Sequence, residues 1–237
     1  MSELSDPGVA MATPGSDNSA YLSLLLADGR LPTGAHTQSA GLEPALNHGL
    51  RLDQVPDYLR VRLTTVTEVE AAAAVVARHR WADAPAAETM IEIDRAWRVR
   101  TASRALRDAS DLLGRSYLRL AATVWPGLAP LTADRRPWCR AVIIGATAAE
   151  AGLDAAQTAR LVGFEDVQTV VAAALKLQPF DPTVAVSWSV AAGRDVEAMI
   201  TRVSGCRSHK EIPAYAAPQI EHWAELHTRT ERRLFRA

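Results

Sequence analysis

Lysine is almost missing from this chain. Lys176 and Lys210 are the only two, and nearly all basic residues are arginine. A nucleotide phosphate loop needs a lysine behind a glycine-rich turn, and neither lysine follows one. Cysteine is equally scarce. Cys139 and Cys206 lack any C-x-x-C or Cys/His zinc spacing and read as isolated thiols. Aromatic residues make up only 5% of the chain against 48% hydrophobic overall, with alanine abundant. That mix suits close-packed helices better than a β-sandwich, whose strands favour β-branched and aromatic side chains. The net charge is -1, which is no nucleic-acid signature. No apolar run reaches the roughly 18 residues of a membrane span. No cationic segment precedes an apolar one at the N-terminus, so no secretory signal is read. The expectation is a soluble, cytoplasmic protein that contacts neither nucleic acid nor membrane. Its 237 residues can bury a sizeable core without disulfides or metal.

Helical periodicity recurs along most of the sequence and predicts a single compact all-α domain over 19–208. Residues 1–18 are rich in Gly, Pro, Ser and Asp and predict a disordered tail. A short helix is expected over 19–27 and a second over 38–48. From Asp53 one long amphipathic helix is expected, with Val55, Leu59, Leu63, Val66, Val69, Ala73 and Val76 on its apolar face. Further helices follow over 85–98, 101–124, 138–151, 154–178 and 182–203. The segment 127–137 reads as a loop, and Val184 to Val190 is the one patch where a strand competes. Residues 209–237 differ in character. Pro213 and Pro218 separate them from the last core helix, yet Trp223, Leu226, Leu234 and Phe235 are too apolar to leave in water. They read as an interaction tail that orders against a partner, with Arg232 and Arg233 at the rim.

No catalytic set emerges. There is no H-E-x-x-H and no paired Glu-x-x-His. His222 and His227 are five residues apart, which separates them by about 140° on a helix. Ser39 lies near His36, but without a G-x-S-x-G elbow or an identifiable base it reads as a helix-start or packing residue. Gly114 lies inside a strongly helical run. It reads first as a close helix contact and second as an approach for a partner's backbone beside Arg115. No bound metal, nucleotide or other cofactor is expected.

The most specified stretch runs from Leu31 to Glu43, LPTGAHTQSAGLE. Pro32 fixes one φ angle and Gly34 permits angles that a Cβ forbids, so the loop is held to one shape. The spacing L-P-x-G-x-x-x-x-S-x-G-L-E resembles the signature of UreF-type urease accessory proteins. Leu106-Arg107-Asp108-Ala109-Ser110 followed by Gly114-Arg115 is similar to that family's second motif, with Ala105 where an acidic residue is common. The ending, His227 and then Arg233-Leu234-Phe235, resembles the family's C-terminus. Two departures stand out. Cys139 occupies a position where the family commonly has His, and Asp181-Pro182 replaces a Gly-Gln pair.

The resemblance implies an all-α urease accessory protein with no chemistry of its own. Such a protein acts as a dimer, binds a UreD/UreH-type accessory protein, recruits the nickel-carrying UreG-type GTPase and helps load nickel into apo-urease. It implies partner-binding roles for Pro32, Gly34, His36, Ser39, Gly41, Glu43, Gly114, Arg115, Trp223, His227, Arg233, Leu234 and Phe235. The alternative from another class is a helical metal-dependent enzyme whose site assembles from dispersed residues.

Overall fold

The structure, a computed structural model, describes residues 16–230 together with 234 and 235. The expected N-terminal tail falls, up to residue 15, outside the described residues, as do Arg232 and Arg233. Among the described residues there is no strand. The helices are α1 (Ser16–Leu26), α2 (Leu42–Asn47), α3 (Val55–Leu63), α4 (Val66–Asp83), α5 (Ala87–Arg100), α6 (Arg104–Val124), α7 (Ala129–Ala133), α8 (Arg140–Glu150), α9 (Ala155–Leu177), α10 (Pro182–Val203) and α11 (Pro218–Thr228). The all-α expectation holds, and the ambiguous Val184 to Val190 patch lies within α10. No described helix is long and apolar enough to cross a membrane.

Helix α4 is the axis of the molecule. Residues 71–77 are fully buried, so this helix is covered on every side rather than along one stripe. It packs most extensively on α8 and α9, with α5 on another flank, and α10 lies against α9. Alanines at 71–74 let neighbouring helix axes come close. Gly145 of α8 takes this furthest, since a Cβ there would stand 2.6 Å from the Ala77 Cβ.

Local signals set most helix ends. Ser103 Oγ accepts from the Leu106 N–H at 3.2 Å and starts α6. Asp154 and Gln157 exchange side-chain bonds of 2.7 and 2.8 Å in a reciprocal cap on α9. Asp181 caps α10 ahead of Pro182 at its first position.

The departures have physical causes. The long helix expected from Asp53 is broken into α3 and α4 at Thr64 and Thr65. Their hydroxyls donate to the carbonyls of Arg60 and Val61 at 2.9 and 2.6 Å, four residues back, and Thr65 leaves helical angles (φ -135°, ψ -99°). The helix expected over 38–48 starts only at Leu42. Ala40 and Gly41 have φ of +51° and +78°, which reverses the chain ahead of it. The expected loop over 127–137 holds a short turn (Pro126–Leu128) and α7, because Leu128 and Leu131 are buried in the core.

The C-terminal segment is seated on the chain's own body. Helix α11 lies on α2 and α6. Ile212, Ala217, Ile220 and Phe235 all join the main hydrophobic core. Of the apolar side chains that called for a partner surface, Phe235 is buried within the chain and Trp223 and Leu226 are half-buried there, while Leu234 stays 63% exposed.

Candidate functional site

The Leu31–Glu43 loop is bolted to the core by a buried ion pair. Arg62 on α3 makes a two-pronged contact with Asp166 on α9, Nε to Oδ2 at 3.0 Å and Nη2 to Oδ1 at 2.6 Å. Its remaining prong donates to the Ala40 carbonyl at 2.8 Å. The Tyr58 hydroxyl donates to the same carbonyl at 2.7 Å, and Thr67 donates to Asp166 at 2.8 Å. Burial pushes the Asp166 carboxyl up, but Arg62 and these hydrogen bonds outweigh it and hold the carboxyl below its ordinary range. The Ala40 carbonyl is thereby fixed at the point where the backbone is left-handed. Gly41 follows, and a Cβ on it would stand 2.9 Å from the Tyr58 hydroxyl. Ser39 is fully buried, and its Oγ accepts from the Glu43 N–H at 3.4 Å. Ser39 thus supports a helix start, as the sequence reading expects.

Glu43 joins this loop to the far end of the chain. Its carboxylate accepts from the backbone N–H of Leu234 at 2.7 Å and of Phe235 at 2.9 Å. His227, buried on α11, lies with Nε2 3.1 Å from the Phe235 carbonyl and 3.6 Å from the Glu43 carboxylate. Phe235 is buried, and Lys176 of α9 sits 5.5 Å from its ring centroid. The Lys176 ammonium also reaches the His36 carbonyl at 3.4 Å. Trp223 packs against Tyr58 with ring centroids 6.2 Å apart. Glu225 ties α11 to α6 by accepting from the Ser103 hydroxyl at 2.6 Å and the Ala105 N–H at 2.9 Å. Those bonds depress its carboxyl.

Beneath the loop lies a cavity of about 110 Å³, bounded by Gln38, Val66, Trp97, Leu106 and Leu113 with Arg62, Glu70, Arg140 and Asp166 at its charged side. Arg140 donates to Glu70 at 2.8 Å and stands 3.7 Å from Glu165. Glu165 Oε2 has no hydrogen-bond partner among the described residues. Burial pushes its carboxyl up to about 7 despite Arg140, with Glu70 and Asp166 adding to the rise. No group of three or more metal-ligating side chains occurs among the described residues. Burial also raises the Cys139 thiol well above its ordinary value, which makes it a poor nucleophile.

The structure gathers most of the singled-out residues. Gly34, His36, Ser39, Gly41, Glu43, Trp223, His227, Leu234 and Phe235 lie on or beside the junction of loop, α9 and α11. Pro32 and His36 are exposed beside it. Gly34 packs on Leu113 and Ser116 of α6, so the second motif's helix backs the first motif's loop. Gly114 follows the first of its two readings, a close contact with no room for a Cβ, although what it meets is the segment leading into α8. Its open side faces the chain's own backbone at Trp138 to Arg140, and a Cβ would run into the Trp138 carbonyl. No partner backbone can enter there, because 138–140 already does. Arg115, next to Gly114, is exposed, and the two residues share the rim of one surface cleft. Arg233 lies outside the described residues. Tyr58, Arg62, Asp166, Glu165 and Glu225 escape a sequence reading, since their partners lie too far away along the chain for any local spacing to show.

One family model and three related proteins bear on this arrangement. The UreF family model matches residues 52–192, from just before α3 into α10. The chain is 34% identical over 216 residues to urease accessory protein UreF of Mycobacterium sp. (strain JLS), covering 90% of the chain and 96% of that protein. It is 32% identical over 214 residues to urease accessory protein UreF of Mycolicibacterium vanbaalenii, with the same two coverages. It is 37% identical over 163 residues to urease accessory protein UreF of Mycobacterium marinum, covering 68% of the chain and 74% of that protein.

Proposed function

The chain belongs to the UreF family of urease accessory proteins, and from that premise we propose that it is a non-catalytic scaffold of urease maturation. It acts as a dimer, binds a UreD/UreH-type accessory protein, recruits the nickel-carrying UreG-type GTPase and couples that GTPase to loading of apo-urease. One observation supports this reading above the others. Glu43, the last residue of the family signature, clasps Leu234 and Phe235, in the family's C-terminal motif, from 191 and 192 positions away. Neither segment adds a catalytic group to the other. Together they form a fixed relief on the surface, with Pro32, His36 and Leu234 outermost. Such a relief suits recognition by a protein. The buried Arg62–Asp166 pair beneath it holds one loop shape, which lowers the ordering cost of binding.

Mixing the purified chain with its UreD/UreH-type and UreG-type counterparts tests the proposal by native mass spectrometry. The expected result is a mass containing all three proteins, formed only when this chain is present. A chain that stays alone, with the other two forming the same species without it, overturns the proposal.

A further inference from the structure

A second surface lies on the face of α6 that carries Arg115. Arg115 and Arg119 project from α6, and Arg135 and Arg136 from the segment after α7, around a cleft of about 430 Å³. None of the residues lining the cleft is acidic. Arg136 is partly neutralised by Asp134 at 2.8 Å and stacks 5.0 Å above the Trp138 ring. Arg115, Arg119 and Arg135 are exposed, and among the described residues they make no ion pair. Elsewhere the chain neutralises many of its arginines: Arg62, Arg98, Arg140, Arg160 and Arg202 each hold a carboxylate within 3.0 Å. Arg115 and Arg119 are also one helical turn apart, an arrangement of like charges that weakens a helix by a few tenths of a kcal/mol. In a chain of net charge -1, this concentration of unneutralised guanidinium is local rather than compositional.

We propose that this cleft docks an acidic segment of a partner protein, one in which carboxylates flank an apolar side chain. The guanidinium fork matches a carboxylate through two parallel hydrogen bonds, and four forks surround the cleft. Between them the walls are apolar, built from Leu118, Leu131 and Pro137. An inorganic phosphate would use the charge and leave those walls bare. A peptide with glutamates on either side of a leucine uses both. The inference rests on the scaffold reading only in taking the occupant to be a protein. It names a surface separate from the junction of loop and tail.

Fluorescence anisotropy with a short labelled peptide alternating glutamate and leucine tests it on the full chain. The double variant Arg115→Glu/Arg119→Glu changes two exposed side chains on a helix, and circular dichroism checks that its helix content is unchanged. The proposal expects saturable binding to wild type, weakened by at least about tenfold in that variant. It expects no such change in Arg80→Glu/Arg229→Glu, which alters charge equally at exposed positions elsewhere. Equal weakening in both variants, or no binding to wild type, overturns it. So does displacement of the peptide by inorganic pyrophosphate as readily as by unlabelled peptide, which would mark a phosphate site. Assembly with the accessory proteins is a separate readout, so failure of the cleft leaves the scaffold reading standing, and failure of assembly leaves the peptide result standing.

Discussion

Replacing Glu43 by glutamine should release the end of the chain while leaving the helical core intact. The carboxylate accepts two backbone N–H groups, at 2.7 and 2.9 Å. Hydrogen bonds to a charged acceptor are worth about 1.5–3 kcal/mol each. An amide has a single oxygen acceptor, so Glu43→Gln keeps one bond without its charge and turns an NH₂ toward the other N–H. The clasp should lose about 2–4 kcal/mol, roughly a 30- to 1000-fold shift toward the open form. Burial of Phe235, at about 1.5–3 kcal/mol, then holds the tail with the one remaining bond and the His227 and Lys176 contacts. Hydrogen exchange read at the Leu234 and Phe235 amides reports that opening directly. Their protection should fall by that factor, while amides of α4 and α8, buried in the centre of the fold, keep theirs. Unchanged protection at 234 and 235 would show that Phe235 seats the tail without Glu43. A parallel fall in α4 and α8 would show that the junction is part of the global folding unit. Either outcome refutes the reasoning.

Gly114→Ala should lower stability by about 1–3 kcal/mol or more, because its Cβ would meet the Trp138 carbonyl rather than a movable side chain; the urea midpoint checks this. Arg62→Met should cost about 3–5 kcal/mol by leaving Asp166 buried without its counter-charge, and should raise exchange at Gly41 and Leu42; loss of stability without that local effect would separate the ion pair from the loop. Glu165 gives a pH signature of defined sign. Its carboxyl is raised from 4.5 to about 7 in the fold, so its contribution is fully present below about pH 4.5 and is lost as pH rises through 7. Wild type minus Glu165→Gln should therefore decline in stability by about 3 kcal/mol across that window, and a flat difference in paired denaturation curves would contradict the burial argument.

The sequence reading succeeds where a local signal decides the structure. The helices expected over 101–124, 154–178 and 182–203 are α6, α9 and α10, because their caps at Ser103, Asp154 and Asp181 act within a turn of chain. It fails where a side chain competes with its own backbone, as at Thr64 and Thr65, whose hydroxyls take the carbonyls of a helix that periodicity would continue. It fails again where tertiary contact overrides a local break. Pro213 and Pro218 do interrupt the helices, but Ile212 and Ile220 on either side are both buried in the core. At the candidate site, the fixed loop and its buried serine are legible from Pro32, Gly34 and Gly41. The ion pair that holds the loop is not, because Arg62 and Asp166 are 104 positions apart and neither belongs to a recognisable spacing. Gly114 was legible as a glycine in need of a reason, and the reason is the approach of the chain's own 138–140 segment.

The central claim is that the junction of loop and tail exists to be recognised during urease maturation. His36 and Leu234 are exposed members of that junction, Leu234 by 63%, so substituting both leaves the buried clasp in place. The direct measurement is the nickel content of urease purified from cells whose only copy of this chain carries His36→Glu and Leu234→Asp. The account predicts that the variant accumulates folded to wild-type levels while the urease is depleted of nickel. Fully nickel-loaded urease in those cells would contradict it.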